Sequence, residues 1–236
     1  MIVLTGSTWG RAGLARLRNG VLDGLTKEDF LIVLGDCGVL APRTDRDRVV
    51  REYRELPCSV LYLDGSRDDY DTLADYPVFR WNGGAVQVIS RGILHLMRGQ
   101  VFRLEGKTFL VCGGAATPGR DEAGKYWDWW PEQDPGPADR AAAADALTAC
   151  GHKVDYVLSC DLPARWRPSA EPASAAAQWL DELLSAVTYG RWFFGGDARE
   201  LPAERAEGPG ERVLRLRASR NRGGDIPGTW KTMPRS

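Results

Sequence analysis

The stretch Leu31-Ile32-Val33-Leu34-Gly35-Asp36-Cys37-Gly38 frames the whole chain. Its apolar run is too short for a globular helix and is cut off by a glycine, an acid and a second glycine, a pattern that reads as a buried parallel strand ending in a tight loop. Asp36 then stands at the strand's carboxyl end, the rim where ligands and metals collect in open α/β sheets because the loops converge there. The same ending recurs. Ile2-Val3-Leu4-Thr5 runs into Gly6-Ser7-Thr8-Trp9-Gly10, and Val60-Leu61-Tyr62-Leu63 runs into Asp64-Gly65-Ser66-Arg67-Asp68. Val154 to Leu158 leads to Ser159-Cys160-Asp161, and Arg191 to Phe194 leads to Gly195-Gly196-Asp197-Ala198-Arg199.

Between these runs Leu14, Leu17, Val21 and Leu22 recur at helical spacing, as do Val49, Val50, Tyr53 and Leu56 after Thr44, which reads as the N-cap of a second helix. From Val78 to Cys112 the character changes to five short strand-like runs. Asn82-Gly83-Gly84, Arg91-Gly92, Arg98-Gly99 and Glu105-Gly106 separate them, and such steps favour antiparallel hairpins. A second sheet packed face to face on the first is therefore expected, with helices outside: a layered α/β sandwich. Thr117 to Gly136 reads as a long loop carrying Trp127, Trp129 and Trp130, which serve either as a ligand platform or as an aromatic plug. Ala138 to Ala149 and the residues from Trp179 to Val187 predict two more helices, and Val213 to Arg217 an edge strand. Residues 1–217 are expected to form one domain, followed by a loosely held tail over 218–236.

Composition excludes several classes of function. With 236 residues, 43% of them hydrophobic, the chain can bury a full core. A net charge of -1 gives no indication of nucleic acid. No apolar run approaches the roughly 20 residues that cross a bilayer, and the first residues enter a strand without a basic leader. A cytoplasmic protein is expected. The 5 cysteines are an odd number, widely spaced and without a CxxC pair, which argues against a disulfide framework and a zinc knuckle. The chain has only 2 histidines, so the commonest transition-metal ligand is scarce. His95, inside an apolar run, reads as a hydrogen-bonded structural residue, and His152 falls in a turn.

The five strand ends, together with Trp81-Asn82-Gly83-Gly84, His95-Leu96-Met97-Arg98-Gly99-Gln100-Val101-Phe102, Gly113-Gly114-Ala115 and Trp129-Trp130-Pro131-Glu132, resemble a small bacterial branch of the metallophosphoesterase, or calcineurin-like phosphoesterase, family. The resemblance implies a two-sheet β-sandwich flanked by helices. In active members of that family the strand-end loops hold two divalent metals that activate a hydroxide and clamp phosphoryl oxygens. Carried over by position, the ligand set here is depleted. Asp36 matches the metal-bridging carboxylate, and Asp68 matches an acid that follows the third loop's ligands. Ser7 and Trp9 stand where the first loop has its acid and histidine, and Ser66 and Arg67 replace the asparagine and histidine of the third. Cys160 replaces the fourth-loop histidine, and Gly196 and Ala198 replace both histidines of the last loop. The loop glycines Gly6, Gly10, Gly35, Gly38, Gly65 and Gly195 remain, and each suits a turn with positive φ.

The expectation is thus a degenerate two-metal site without cofactor, filled by Trp9 and ion-paired through Arg67 to Asp36 or Asp68, in a protein that acts by binding. Candidate ligands are a phosphate-bearing molecule met by Arg67 and Arg199, or a protein partner met by the tryptophan loop and the Arg-rich tail. The alternative is a hydrolase of phosphate esters with a rebuilt oxygen-rich site of Asp36, Asp68, Asp161 and Asp197, suited to Mg²⁺, Mn²⁺ or Ca²⁺. Cys160 as a nucleophile is a further option, but no histidine lies on the same rim to activate it.

Overall fold

Strands β1 (Ile2–Thr5), β2 (Phe30–Leu34) and β3 (Ser59–Leu63) lie side by side and parallel in the computed structural model, which describes residues 1–117, 129–167, 173–195, 206–207 and 213–216. They are apolar at almost every position because both faces are covered, as parallel strands require. Successive side chains point to opposite faces. Leu4, Ile32 and Leu61 point inward, where they meet Phe102, Phe109, Leu158 and Phe193 of a second sheet. Val3, Leu31 and Val60 point outward onto helices α1 (Arg11–Leu17), α2 (Arg46–Arg54) and α3 (Tyr70–Ala74), which supply Leu14, Val49, Tyr53 and Leu73.

The hairpin region divides between the two sheets instead of forming the second one alone. Strands β4 (Val78–Trp81), β5 (Gly84–Ser90) and β6 (Ile93–Leu96) extend the first sheet, with β6 parallel to β3 and the other two antiparallel beyond it. The chain crosses over at Met97 to Gly99, and β7 (Gln100–Leu104) and β8 (Lys107–Cys112) begin the second sheet. Turn signals specify hairpins locally, but which sheet a hairpin joins depends on the long-range pairing of β6 with β3. Helix α4 (Pro137–Ala149), β9 (Lys153–Ser159), α5 (Ala175–Ala186), β10 (Thr188–Phe194) and the two-residue β11 (Ala206–Glu207) continue the second sheet, and β12 (Val213–Leu216) returns to pair antiparallel with β1. The sheet orders are β12-β1-β2-β3-β6-β5-β4 and β11-β10-β9-β8-β7. Leu147, Trp179, Leu180 and Leu183 of α4 and α5 cover the outer face of the second sheet.

Helix boundaries differ from the periodicity in three places. Helix α1 stops at Leu17 because Asn19-Gly20 follows, with Gly20 at φ 81°, so Val21 is exposed. Helix α2 is capped by Asp45, whose carboxylate accepts the Arg48 N–H at 3.1 Å, not by Thr44. Helix α3 is too short to show in sequence and rests on Asp69, which accepts the Thr72 N–H at 3.0 Å. No helix among the described residues is long and apolar enough to cross a membrane. The proposed tail over 218–236 lies outside the described residues.

Phe102 is wholly buried between the sheets, with its ring against the Gly84 backbone. Phe102→Ala is expected to lower stability by about 3–5 kcal/mol, because it removes apolar area and leaves a cavity that the sheets close only in part. Chemical denaturation with an unchanged m-value checks this.

Candidate functional site

The loops after β1, β2, β3 and β9 meet at one rim, together with Gly195 at the end of β10. The Trp9 N–H donates to the Asp36 carbonyl at 3.1 Å, the Gly10 N–H to the Cys37 carbonyl at 3.2 Å, and the Gly195 N–H to the Cys160 carbonyl at 3.1 Å. Two glycines show why side chains are excluded. A methyl group at Gly35, which sits at φ 96°, would lie 2.1 Å from the Cys160 sulfur, and one at Gly195 would lie 2.0 Å from the Leu34 carbonyl oxygen. At Gly195, as at Gly65, the constraint is close approach and not positive φ, which corrects the expectation from the loop sequences.

Beneath the third loop lies a buried ionic network that sequence reasoning did not single out. The Asp64 carboxylate, at the end of β3, accepts from Arg98 Nε at 2.7 Å and from Arg98 Nη2, lies 2.8 Å from the Tyr70 hydroxyl, and meets His95 Nε2 at 3.0 Å. His95 Nδ1 reaches Gln87 Oε1 at 2.9 Å, so His95 is the hydrogen-bonded structural residue expected. Burial pushes the Asp64 pKa up, but the charge of Arg98 and the His95 contact outweigh it and hold the carboxyl well below the usual range. Arg98-Gly99 read as a turn and as part of the family resemblance, and nothing in the local sequence shows that the guanidinium folds inward.

Asp36 sits above this network, 6% exposed, at φ 45°. Its Oδ1 accepts the Arg67 backbone N–H at 2.8 Å and its Oδ2 the Ser66 hydroxyl at 3.2 Å. Burial pushes its pKa up to about 6, against the pull of those two hydrogen bonds and of the Arg67 charge. Asp68 is wholly buried, accepts the Gly65 N–H at 2.8 Å, and is driven toward the neutral acid by burial and by Asp36.

The expected filled pocket is instead a cleft. About 640 Å³ opens above Asp36, with Trp9, Arg11, Arg43, Arg67 and Thr117 in its wall. Trp9 does not occupy the vacated volume: it is 50% exposed, and the Arg67 guanidinium lies over its ring at 5.2 Å from the centroid. Arg67 meets Asp36 through its backbone N–H, and its guanidinium lies over the indole face. The Trp9 backbone is held to the Asp36 carbonyl, and its ring lies under the Arg67 guanidinium. Arg11 and Arg43 come from segments, the start of α1 and the loop before α2, that carry no recognisable motif.

The other candidates do not converge on this cleft. Ser7 is half-buried beside it, with its carbonyl accepting from Arg16 at 3.4 Å. The Cys160 thiol is pressed against Gly35, and burial followed by the charges of Asp36 and Asp161 pushes its pKa well up, which disfavours the thiolate. Asp161 is taken by Arg167 at 2.5 Å and by the Leu162 N–H at 2.7 Å. With Asp68 buried and Asp161 ion-paired, the rebuilt carboxylate cluster does not assemble among the described residues. There, no three His, Cys, Asp or Glu side chains are placed to hold a metal ion, and the donors present do not fit a two-metal centre. Gly196, Asp197, Ala198 and Arg199 lie outside the described residues, as does Trp127. Trp130 is buried in the core, its Nε1 donating to Asp71 at 3.0 Å, which makes it a plug and not a platform.

The sequence matches no protein-family model and no curated protein. Among solved structures, it is similar to the crystal structure of a protein of unknown function, AQ665 from Aquifex aeolicus, at 14% identity over 80% of this chain and 87% of that one, with a TM-score of 0.38.

Two predictions follow from the buried carboxylates. Arg98→Met leaves Asp64 charged and without its main partner, and is expected to cost about 3–5 kcal/mol in chemical denaturation. Asp36 behaves oppositely, since its folded pKa is raised. The stability it contributes is full below about pH 4, the unfolded value, and is lost as pH rises through 6. Asp36→Asn keeps an acceptor for the Arg67 N–H and tolerates positive φ. It is expected to be more stable than the wild type at pH 7.5, by on the order of 2–3 kcal/mol, with the gap closing near pH 4. Thermal melts across that pH range check the sign.

Proposed function

We propose that this chain is a metallophosphoesterase-like protein with a degenerate two-metal site, which binds a phosphate-bearing molecule in the cleft above Asp36 without hydrolysing it. The observation that carries this reading is the lining of that cleft: Arg11, which also pairs with Glu52 at 3.1 Å, Arg43 and Arg67 line it, and Asp36, the one carboxylate among its described lining residues, already has both oxygens hydrogen-bonded. Guanidinium groups match phosphate oxygens in charge and in planar, bidentate geometry. Hydrolysis of a phosphate ester in this family's manner needs metals to activate water and neutralise charge, and the described side chains offer no such ligand group. The mixed two-sheet α/β architecture agrees with the family's fold. All five cysteines are free thiols, which suits a reducing cytoplasm.

Inorganic phosphate is expected to raise the melting temperature in a concentration-dependent way, equivalent to about 2.7 kcal/mol at one hundred times its Kd. Arg67→Ala, which removes a charge-assisted contact, is expected to weaken binding about tenfold or more. Generic chromogenic phosphates with Mn²⁺, Mg²⁺ or Ca²⁺ test the opposing reading. Turnover that disappears both with chelator and in Asp36→Ala identifies an active metal-dependent hydrolase and overturns the proposal.

A further inference from the structure

Three residues of the cleft lining hold backbone angles that L-residues seldom adopt: Trp9, Asp36 and Arg43 have φ of 51°, 45° and 58°. The other non-glycine residues with positive φ among those described are Asn82, Glu105 and His152. They stand in the β4–β5 and β7–β8 hairpin turns and just past α4, where a left-handed residue closes the turn. Aspartate tolerates this region through its short polar side chain. Trp9 lies in the turn that leads into α1, but a tryptophan side chain makes no local hydrogen bond of that kind. Bulky residues persist in sparsely populated conformations where the surroundings hold them, and such positions cluster at ligand sites.

Nor is Trp9 held for its burial. Trp130, Trp179 and Trp192 are inside the fold, whereas half of Trp9 faces solvent. Its ring lies against the Arg67 guanidinium and forms part of the cleft wall. An exposed aromatic face beside arginines offers a flat stacking surface next to an anion site. At about 640 Å³ the cleft falls within the range of small-molecule sites and is far larger than a bare phosphate requires.

We infer that Trp9 is the specificity-determining residue of this cleft, stacking on a planar aromatic ring carried by the phosphate-bearing ligand. The inference rests on the phosphate reading above and narrows it to aryl or heteroaryl phosphate esters, of which nucleotides and aryl phosphates are the two sources.

Calorimetric titration of the full chain tests it with ligands that differ by one ring. Adenosine monophosphate is compared with ribose 5-phosphate, and phenyl phosphate with inorganic phosphate. A ring-bearing ligand is expected to bind about tenfold tighter or more than its ring-free counterpart. Preference for the adenosine pair identifies a nucleotide site, and preference for the phenyl pair identifies an aryl phosphate site. Trp9→Phe should keep the discrimination. Trp9→Ala and Trp9→Gly should abolish it, bringing each ring-bearing ligand to the affinity of its ring-free counterpart. Trp9→Gly should also melt above Trp9→Ala, because glycine adopts positive φ without strain. Discrimination that is absent in the wild type, or that survives in Trp9→Ala, overturns the stacking role while the phosphate reading stands. Failure of every phosphate compound to bind overturns both.

Discussion

The pairing of Asp64 with Arg98 is the interaction on which the rest of the structure depends. Asp64 ends β3 in the first sheet, and Arg98 lies on the crossover that carries the chain into the second, so one ion pair ties the seam between the sheets to the loop bearing Ser66 and Arg67. Both groups are almost completely out of water. An isolated buried charge is costly, and the pair is tolerable only because the carboxylate's lone pairs are also met by Tyr70 and His95. The network therefore demands one arrangement of the crossover and the third loop. With the third loop placed, the Arg67 N–H is aimed at Asp36, and Asp36 becomes the floor of the cleft.

At the same rim, backbone shape and side-chain electrostatics answer to different constraints. The backbone requirements at Gly35 and Gly195 are steric, set by the approach of Cys160 and of the Leu34 carbonyl, and they hold whatever the neighbouring side chains do. Electrostatics at the rim follow a different logic. Asp36 is buried and hydrogen-bonded, Asp68 is driven toward its neutral form and Asp161 is neutralised by Arg167, while cationic side chains from three separate segments line the open space. The acids are thus held in hydrogen bonds or ion pairs beneath a wall that carries guanidinium groups. The Trp9 ring, stacked under Arg67, adds an apolar surface to that wall.

The strands, their apolar runs and the hairpin turns at Asn82-Gly83 and Glu105-Gly106 were legible in the amino-acid order, because alternation and turn chemistry are properties of a few adjacent residues. So was the gathering of glycine-rich loops at the carboxyl ends of β1, β2 and β3, and with it the place of Asp36. The division of the hairpins between two sheets was not legible, because it depends on β6 pairing with β3 across some thirty residues of chain. Helix α3 was also missed, since five residues carry too little periodicity.

In the site the boundary falls between residue identity and direction. Local sequence alone determined that Ser7, Trp9, Ser66, Arg67 and Cys160 stand on the rim loops, and that histidines are nearly absent from the chain. Only the tertiary structure decided that Trp9 faces outward as a wall, that Arg67 covers its ring, that Asp161 turns to Arg167, and that Arg11 and Arg43 join the same cleft. The physical reason is that a side chain's direction and charge state are set by what lies across from it. Those neighbours, Arg67 for Trp9 and Asp64 for Arg98, are distant in sequence and are brought close only when both sheets have closed over one core.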